Sequence, residues 1–418
     1  MSAPARKAPA APAPAAPETS RSLGGSFWWF WSASTLSSAG NGMLTVSLPL
    51  LAAAGTRDPV LVSLILLAQR SPWLLFGLPL GALADRLPSR PLLIGSDLVR
   101  MSVLLVVGLL ALGSGLGMPV LLLGAFVIGT GTVVFDTTSQ AWLPRTVPGP
   151  SLGRANGYLS AGNQADPMLG PALGGLALAA TPALPVLADA ATFGGSALLL
   201  RRCARERPLT RPAAGRRVRD DIRSGLRHLR HDRFVALLAL TVTALAGLQA
   251  GALAVQVLVG LRVFGLGAAE YGLFVGAAAI GGLTGAIIAG RLAGPRRIGL
   301  LLTGILAATA GYIGMAATSD PWIGGAALAV EQFGVGMVNV TIATLRMGAV
   351  PVHLQGRITS VFRMLLHAAV SGGALLGGVV AKAFGLQAPF LLAAAGYVLL
   401  VLLVVPWLFA LAPQRPGR

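Results

Sequence analysis

The sequence is poor in what soluble surfaces and soluble chemistry require. Only 11% of its 418 residues are charged, against roughly 25% in ordinary soluble domains, so a water-facing shell cannot be built from it. One cysteine, Cys203, excludes an intrachain disulfide framework, and the four histidines fall in no Cys/His metal motif. Lysine stands only at Lys7 and Lys382 although Lys and Arg together number 32, and acids number 14. No G-x4-G-K-[S/T] phosphate loop is present, which excludes an ATP-driven mechanism in this chain. Nothing in the residue pattern suggests covalent chemistry, a bound metal or a cofactor, so an enzyme is not expected.

What the chain has instead is apolar length. It is 55% hydrophobic with a mean hydropathy of +0.75. A transmembrane helix needs roughly 20 mostly apolar residues, and twelve such runs follow one another. They are approximately Phe27 to Ala53, Val60 to Ala84, Leu92 to Leu112, Val120 to Thr138, Leu152 to Ala179 and Ala183 to Leu200. After a gap come Phe234 to Leu258, Tyr271 to Leu292, Ile298 to Ala317, Trp322 to Leu345, Ile358 to Ala383 and Pro389 to Leu411. The expected fold is an all-α membrane protein of twelve spans.

The net charge of +18 follows membrane topology and implies no nucleic-acid partner. With the N-terminus inside, Arg86, Arg90, Arg145, Arg154, Arg291, Arg296, Arg297, Arg346 and Arg357 all fall inside, and only Arg57, Arg262 and Lys382 fall outside. Basic residues are held on the cytoplasmic side, so both termini are expected there, with Trp28, Trp29 and Trp31 as interfacial anchors. Residues 1–24 are Pro/Ala-rich without an apolar core and are expected to be a disordered tail, not a signal peptide.

Residues 201–233 carry twelve arginines and separate two sets of six spans, 25–200 and 234–411, with 412–418 as a second tail. Val218, Ile222, Leu226 and Leu229 recur there at helical spacing, which suits an amphipathic helix on an anionic inner leaflet. A solvated linker with no role beyond topology fits equally. The two sets are related: VPGPSLGR at Val147 to Arg154 matches VPVHLQGR at Val350 to Arg357, and GPALGG at Gly170 to Gly175 matches GALLGG at Gly373 to Gly378, at one offset of 203 residues. Duplicated halves suit alternating access around a midplane site.

After the second span comes GALADRLPSR, with Gly81, Asp85, Arg86 and Arg90; Asp97 and Arg100 follow on the third span, and Asp136 on the fourth. Opposite charges at one depth can latch the inner side; topology charge and helix capping would use the same residues. The fifth span carries Gly157, Gly170, Pro171, Gly174 and Gly175, small residues that let helices approach.

On these residues the sequence resembles the major facilitator superfamily, whose hallmark between the second and third spans reads G-x-L-A-D-R-x-G-R-R/K. Gly81, Leu83, Asp85, Arg86 and Arg90 match it; Pro88 and Ser89 replace the usual glycine and first basic residue. The resemblance implies a conformational latch with Asp85, Arg90 and Asp136 in a charge relay. The fifth span is similar to the G-x8-G-x3-G-P-x2-G-G motif of drug and proton antiporters, with Asp166 where the second glycine would stand. Together with DAATFGGSALLL at Asp189 to Leu200, this looks like the branch containing the enterobactin exporter.

Ionisable residues inside the membrane are costly and therefore functional candidates. Arg70, fifteen residues before Asp85, lies about 22 Å along its helix, in the outer half; Asp166, fifteen residues after Ser151, has a comparable depth. Glu331 lies ten residues past Pro321, about 15 Å from the outer end and near the midplane. Burial disfavours a carboxylate's charged form and a neighbouring arginine favours it, so a carboxylate that alternates between such settings binds and releases a proton. Glu331 is the expected proton or cation site and Asp166 a second, with Arg70 either holding an anionic substrate group or pairing with Asp166. Static buried ion pairs are the alternative. Asn41 and His367 are further candidates, the resemblance implying that relatives often carry an aspartate where Asn41 stands. The expected function is proton-coupled efflux of an amphipathic small molecule such as a drug, siderophore or secondary metabolite, by a monomer in a bacterial plasma membrane. The alternatives are proton-coupled uptake of an organic anion and a receptor or scaffold without transport.

Overall fold

The computed structural model describes residues 23–113, 115–204, 227, 231–292, 297–350 and 355–411. Residues 1–22 and 412–418 of the expected tails, and Val218, Ile222, Leu226 and Leu229 of the expected amphipathic linker helix, lie outside the described residues. Among the described residues the chain is helical with no strand. The first half holds α1 (Gly25–Gly55), α2 (Pro59–Arg86), α3 (Ser89–Leu112), α4 (Met118–Thr146), α5 (Leu152–Asn163), α6 (Ala165–Ala180) and α7 (Leu184–Leu200). The second holds α8 (Arg233–Arg262), α9 (Ala268–Arg291), α10 (Arg297–Ala317), α11 (Pro321–Ala349), α12 (Gln355–Phe384), α13 (Ala388–Leu403) and α14 (Val405–Leu411).

Eight helices, α2 to α4 and α8 to α12, are long and apolar enough to cross a membrane, and α7 and α13 are shorter apolar helices. With α1 and the α5–α6 pair they make twelve spans, six in each half. The fifth span, expected to be continuous, is broken at Gln164. Pro167 explains the break: it has no N–H to offer the Asn163 carbonyl, and its ring crowds that carbonyl. Pro406 stands in the same way just past the break between α13 and α14.

Several of the few acids are consumed by helix starts. The Asp58 carboxylate accepts from Val60 N at 2.9 Å, Asp320 from Trp322 N and Ile323 N at 2.8 and 3.1 Å, and Asp232 from Val235 N at 3.1 Å. Each satisfies a backbone donor that the helix itself leaves open. These acids are thereby separated from the ones left inside the spans.

The sequence repeat reappears as a repeat of contacts. A Cβ at Gly170 would stand 2.3 Å from Gly42 Cα on α1, and one at Gly373 would stand 2.0 Å from the Gly247 oxygen on α8. At Gly174 and Gly377, four residues on, the same holds against the backbones of Met43 and Gly251. The next pair turns outward to the other half: Gly175 meets Ala268 and Gly272 on α9, and Gly378 meets Val60 and Ser63 on α2. Two equivalent seams, α6 on α9 and α12 on α2, therefore join the halves, each made by glycines that admit backbone-to-backbone approach.

We call the end at which α1 begins the near end. At the far end the halves are tied: Lys382 Nζ donates to Asp58 Oδ2 at 2.6 Å, and Arg262 donates to the carbonyls of Arg57 and Thr56 at 2.9 and 3.1 Å. The far end is thus closed by both glycine seams and by charge.

Candidate substrate cavity and buried charges

Between the halves lies a cavity of about 310 Å³. The first half contributes Leu66 and Arg70 from α2; the second contributes Gln249, Asn339, His367 and Tyr397, with apolar residues of α8, α11 and α12 between them. Arg70 is exposed, and no described hydrogen bond or ion pair engages it. The His367 ring lies parallel to Trp73 across the seam, with centroids 4.7 Å apart and planes 6° apart, and its Nδ1 has no partner.

Glu331 does not line this cavity. It is 3% exposed and its Oε1 accepts from Tyr312 Oη at 2.9 Å and from Gln249 Nε2 at 3.5 Å. Gly311 makes this possible, because a Cβ there would stand 2.5 Å from Glu331 Cβ, so α10 can press against α11. Glu331 thus sits one side chain behind the wall, and Gln249 faces both the cavity and the acid. Tyr397, also on the wall, packs edge-on against Tyr312 at 5.2 Å.

Asp166 is half-buried on the first turn of α6, directly after the break. It makes no ion pair with Arg70 within 4 Å, although Arg70 lies within Coulombic reach of both Asp166 and Asp136. The static Arg70 to Asp166 pair left open by the sequence is not formed here. Asn41 is half-buried on α1, where its carbonyl accepts from Thr45 Oγ1 at 3.2 Å. Arg363 on α12 reaches across to Gln140 on α4, 3.2 Å away.

The expected latch divides into two groups. Asp97 and Arg100 are 0% and 1% exposed and form an ion pair within α3. The Arg100 guanidinium lies 5.0 Å from the Phe135 ring and 4.1 Å from the Phe193 ring, an arrangement favourable to a desolvated cation. The pair lies in the core of the first half, about 12 and 16 Å into α3 at 1.5 Å per residue. Asp136 is within Coulombic reach of Arg100, and so is Asp189, which was not among the expected site residues. Asp189 is 0% exposed and accepts from Thr192 Oγ1 at 2.8 Å. Its signal was present, since an acid inside the apolar run Ala183 to Leu200 carries the same default weight as Glu331. Glycines make room for this cluster: a Cβ at Gly40 would stand 1.8 Å from Asp189 Oδ1, and one at Gly131 would stand 2.6 Å from Arg100 Cγ.

The second group stays at the near end. Arg90 donates to the Arg201 carbonyl, and Arg145 donates to Ser89 Oγ at 3.1 Å and to the Ala84 carbonyl at 3.4 Å, tying α4 and α7 to the α2–α3 turn. Arg86 is exposed. The Asp85 side chain lies outside the described residues. Gly81 and Gly157 have open space where a Cβ would go, so close packing is the work of Gly170, Gly174 and Gly175, with the Pro171 carbonyl receiving Gly272.

No curated protein matches the sequence. Among solved structures, a bacterial homolog of the human lysosomal transporter Spinster, inward-facing and occupied, is similar with a TM-score of 0.73 at 15% identity, covering 94% of this chain and 98% of that one. The nucleoside transporter NupG gives 0.72 at 10% identity, covering 93% and 100%. A bacterial homologue of the iron transporter ferroportin, inward-facing, gives 0.69 at 16% identity, covering 94% and 100%. At these identities the likeness is one of fold. The profile of the Major Facilitator Superfamily matches residues 30–374, which is most of the chain and agrees with the duplicated six-span halves, the glycine seams and the cavity between them. The chain belongs to the Major Facilitator Superfamily of membrane transporters.

Proposed function

We propose that this transporter exports an amphipathic small molecule in exchange for protons, by rocking residues 25–200 against residues 234–411 about the two glycine seams. The observation that carries the reading is the cavity shared by α2, α8, α11, α12 and α13, with Glu331 behind its wall and the far end tied shut. In this reading the near end is cytoplasmic, both termini lie there, and the 201–233 segment rests on the anionic inner leaflet of a bacterial plasma membrane. The protein works as a monomer. Glu331 binds the coupling proton, and Asp166, beside the unpaired Arg70, is a second site. The inner-loop residues Asp85, Arg86 and Arg90 latch the opposite state. Outward direction rests on the antiporter-like fifth span.

Gln249 supplies the coupling in physical terms. Exchange requires substrate and proton to exclude each other: while Gln249 donates to Glu331 the ionised carboxylate is favoured, and when that donor turns away the proton is held more readily. Inside-out vesicles with an acidified interior test the direction: an exporter loads substrate into them. Uptake of an organic anion is the second reading, favoured by Arg70 on the cavity wall, and it predicts loading only when the exterior is the acidic side. Glu331→Gln is expected to abolish proton movement driven by substrate while leaving equilibrium binding within a few-fold. Unchanged proton exchange in that variant removes Glu331 from the mechanism.

A further inference from the structure

Arg70 stands out among the cavity's residues. It is the one side chain among the described lining residues that carries a formal charge at neutral pH, apart from the titratable His367. Arginine cannot shed its proton. Its guanidinium is nevertheless exposed to the cavity without a hydrogen bond or ion pair. The charged or titratable groups within Coulombic reach of it on neighbouring helices are Asp136 on α4, Asp166 on α6, and His367 on α12, which Arg363 also reaches. Asp136 is shared with Arg100 and Arg363, and neither acid closes on Arg70. On the cavity side the wall is Leu66, Val242 and Val338 with the amides of Gln249 and Asn339, and no carboxylate among the described lining residues.

We infer that the cavity is built for a small, flat organic anion whose acidic group pairs with Arg70. The apolar wall takes the body, the His367 ring, backed by the parallel Trp73 ring of the other half, offers a flat face, and the two amides orient polar substituents. The volume of about 310 Å³ is at the small end for ligand pockets and suits two or three linked rings. A planar guanidinium gives a carboxylate or sulfonate two parallel donors, which a neutral analogue cannot use. A cationic substrate would instead meet Arg70 at close range without compensation. The inference deepens the transport reading by naming its substrate class, and it holds for either direction of transport.

The test uses two dyes with one skeleton, anilinonaphthalene sulfonate and neutral phenylnaphthylamine. Equilibrium dialysis of the full chain in lipid nanodiscs, against empty nanodiscs, gives the two affinities. The sulfonate is expected to bind at least about tenfold tighter, the size of a charge-assisted hydrogen bond. Arg70→Gln should erase that preference while still taking the neutral dye, and Arg70→Lys should keep part of it. A wild-type chain that binds both dyes alike or binds neither overturns the inference, as does an Arg70→Gln variant that keeps the preference. If Arg70→Gln takes neither dye, Arg70→Lys decides: preference retained supports the anion site, preference lost with neutral binding intact refutes it. No proton gradient enters this readout. An Arg70-dependent preference without proton-driven transport would fell the coupling reading alone, and proton-driven transport without it would fell this one alone.

Discussion

Gly175→Ala probes the far-end seam directly. The added Cβ would stand 2.5 Å from the Ala268 carbonyl oxygen and 2.6 Å from Gly272 Cα, where carbon contacts relax only near 3.5 to 4.0 Å. Both obstacles are backbone, so no side chain can rotate away, and α6 and α9 must part by about 1 Å. Overpacking of this kind costs about 1 to 3 kcal/mol. It is paid only in the state with the far end closed, so the closed state should lose roughly fivefold to a hundredfold of its population relative to an open one, at 1.4 kcal/mol per factor of ten. The assay is maleimide labelling of a Ser63→Cys reporter, which sits 0% exposed in the opposite seam. The native chain gives a quiet background, because Cys203 is 3% exposed and burial pushes its thiol up to about 11, leaving little reactive thiolate. Gly175→Ala should speed labelling of Cys at position 63 by about fivefold or more. An unchanged rate in a variant with unchanged melting would refute the claim that the two seams open together.

Other perturbations follow from the charges. Arg100→Met leaves Asp97 buried without its partner and should lower stability by about 3 to 5 kcal/mol, read as a drop in the melting temperature of the purified protein; adding Asp97→Leu should recover most of it. The far-end tie has a defined pH window. Lys382, by its hydrogen bond, and the Val60 amide hold the Asp58 carboxyl below its ordinary value, so the tie is complete above the usual carboxylate pKa, about 4, and is lost as pH falls through the lowered value. Labelling of the Ser63→Cys reporter should therefore be flat from about pH 8 to pH 5, apart from the thiol's own titration, whereas Asp58→Asn should raise it at every pH.

Much of the fold was legible because lipid permits only one kind of spanning backbone in an unclosed chain. Twelve apolar runs at the right length gave the twelve spans, and the offset of 203 residues gave the duplication that the glycine contacts then repeat. Even the break in the fifth span has a local cause, Pro167, that could have been read. The candidate site was legible by residue and by depth: Arg70 and His367 do line the cavity, and Glu331 is a buried acid with specific donors. Asp189 was overlooked although its chemical signal equalled that of Glu331.

What the sequence determined by itself is everything that depends on distance along one helix: which runs span, how deep each charge lies, and which turns are capped or broken by proline. What only the tertiary structure decided is azimuth and company. Counting ten residues past Pro321 fixes the height of Glu331 but not that Gln249 and Tyr312, from two other helices, stand around it. In the same way Asp97 and Arg100 share a depth with many lipid-facing residues, and only the packing of α3 against α4 and α7 encloses them with Phe135 and Phe193. Neighbours brought together across 80 or more residues, as with Gln249 and Glu331, are chosen by how whole helices pack, and that choice is not written in any local pattern.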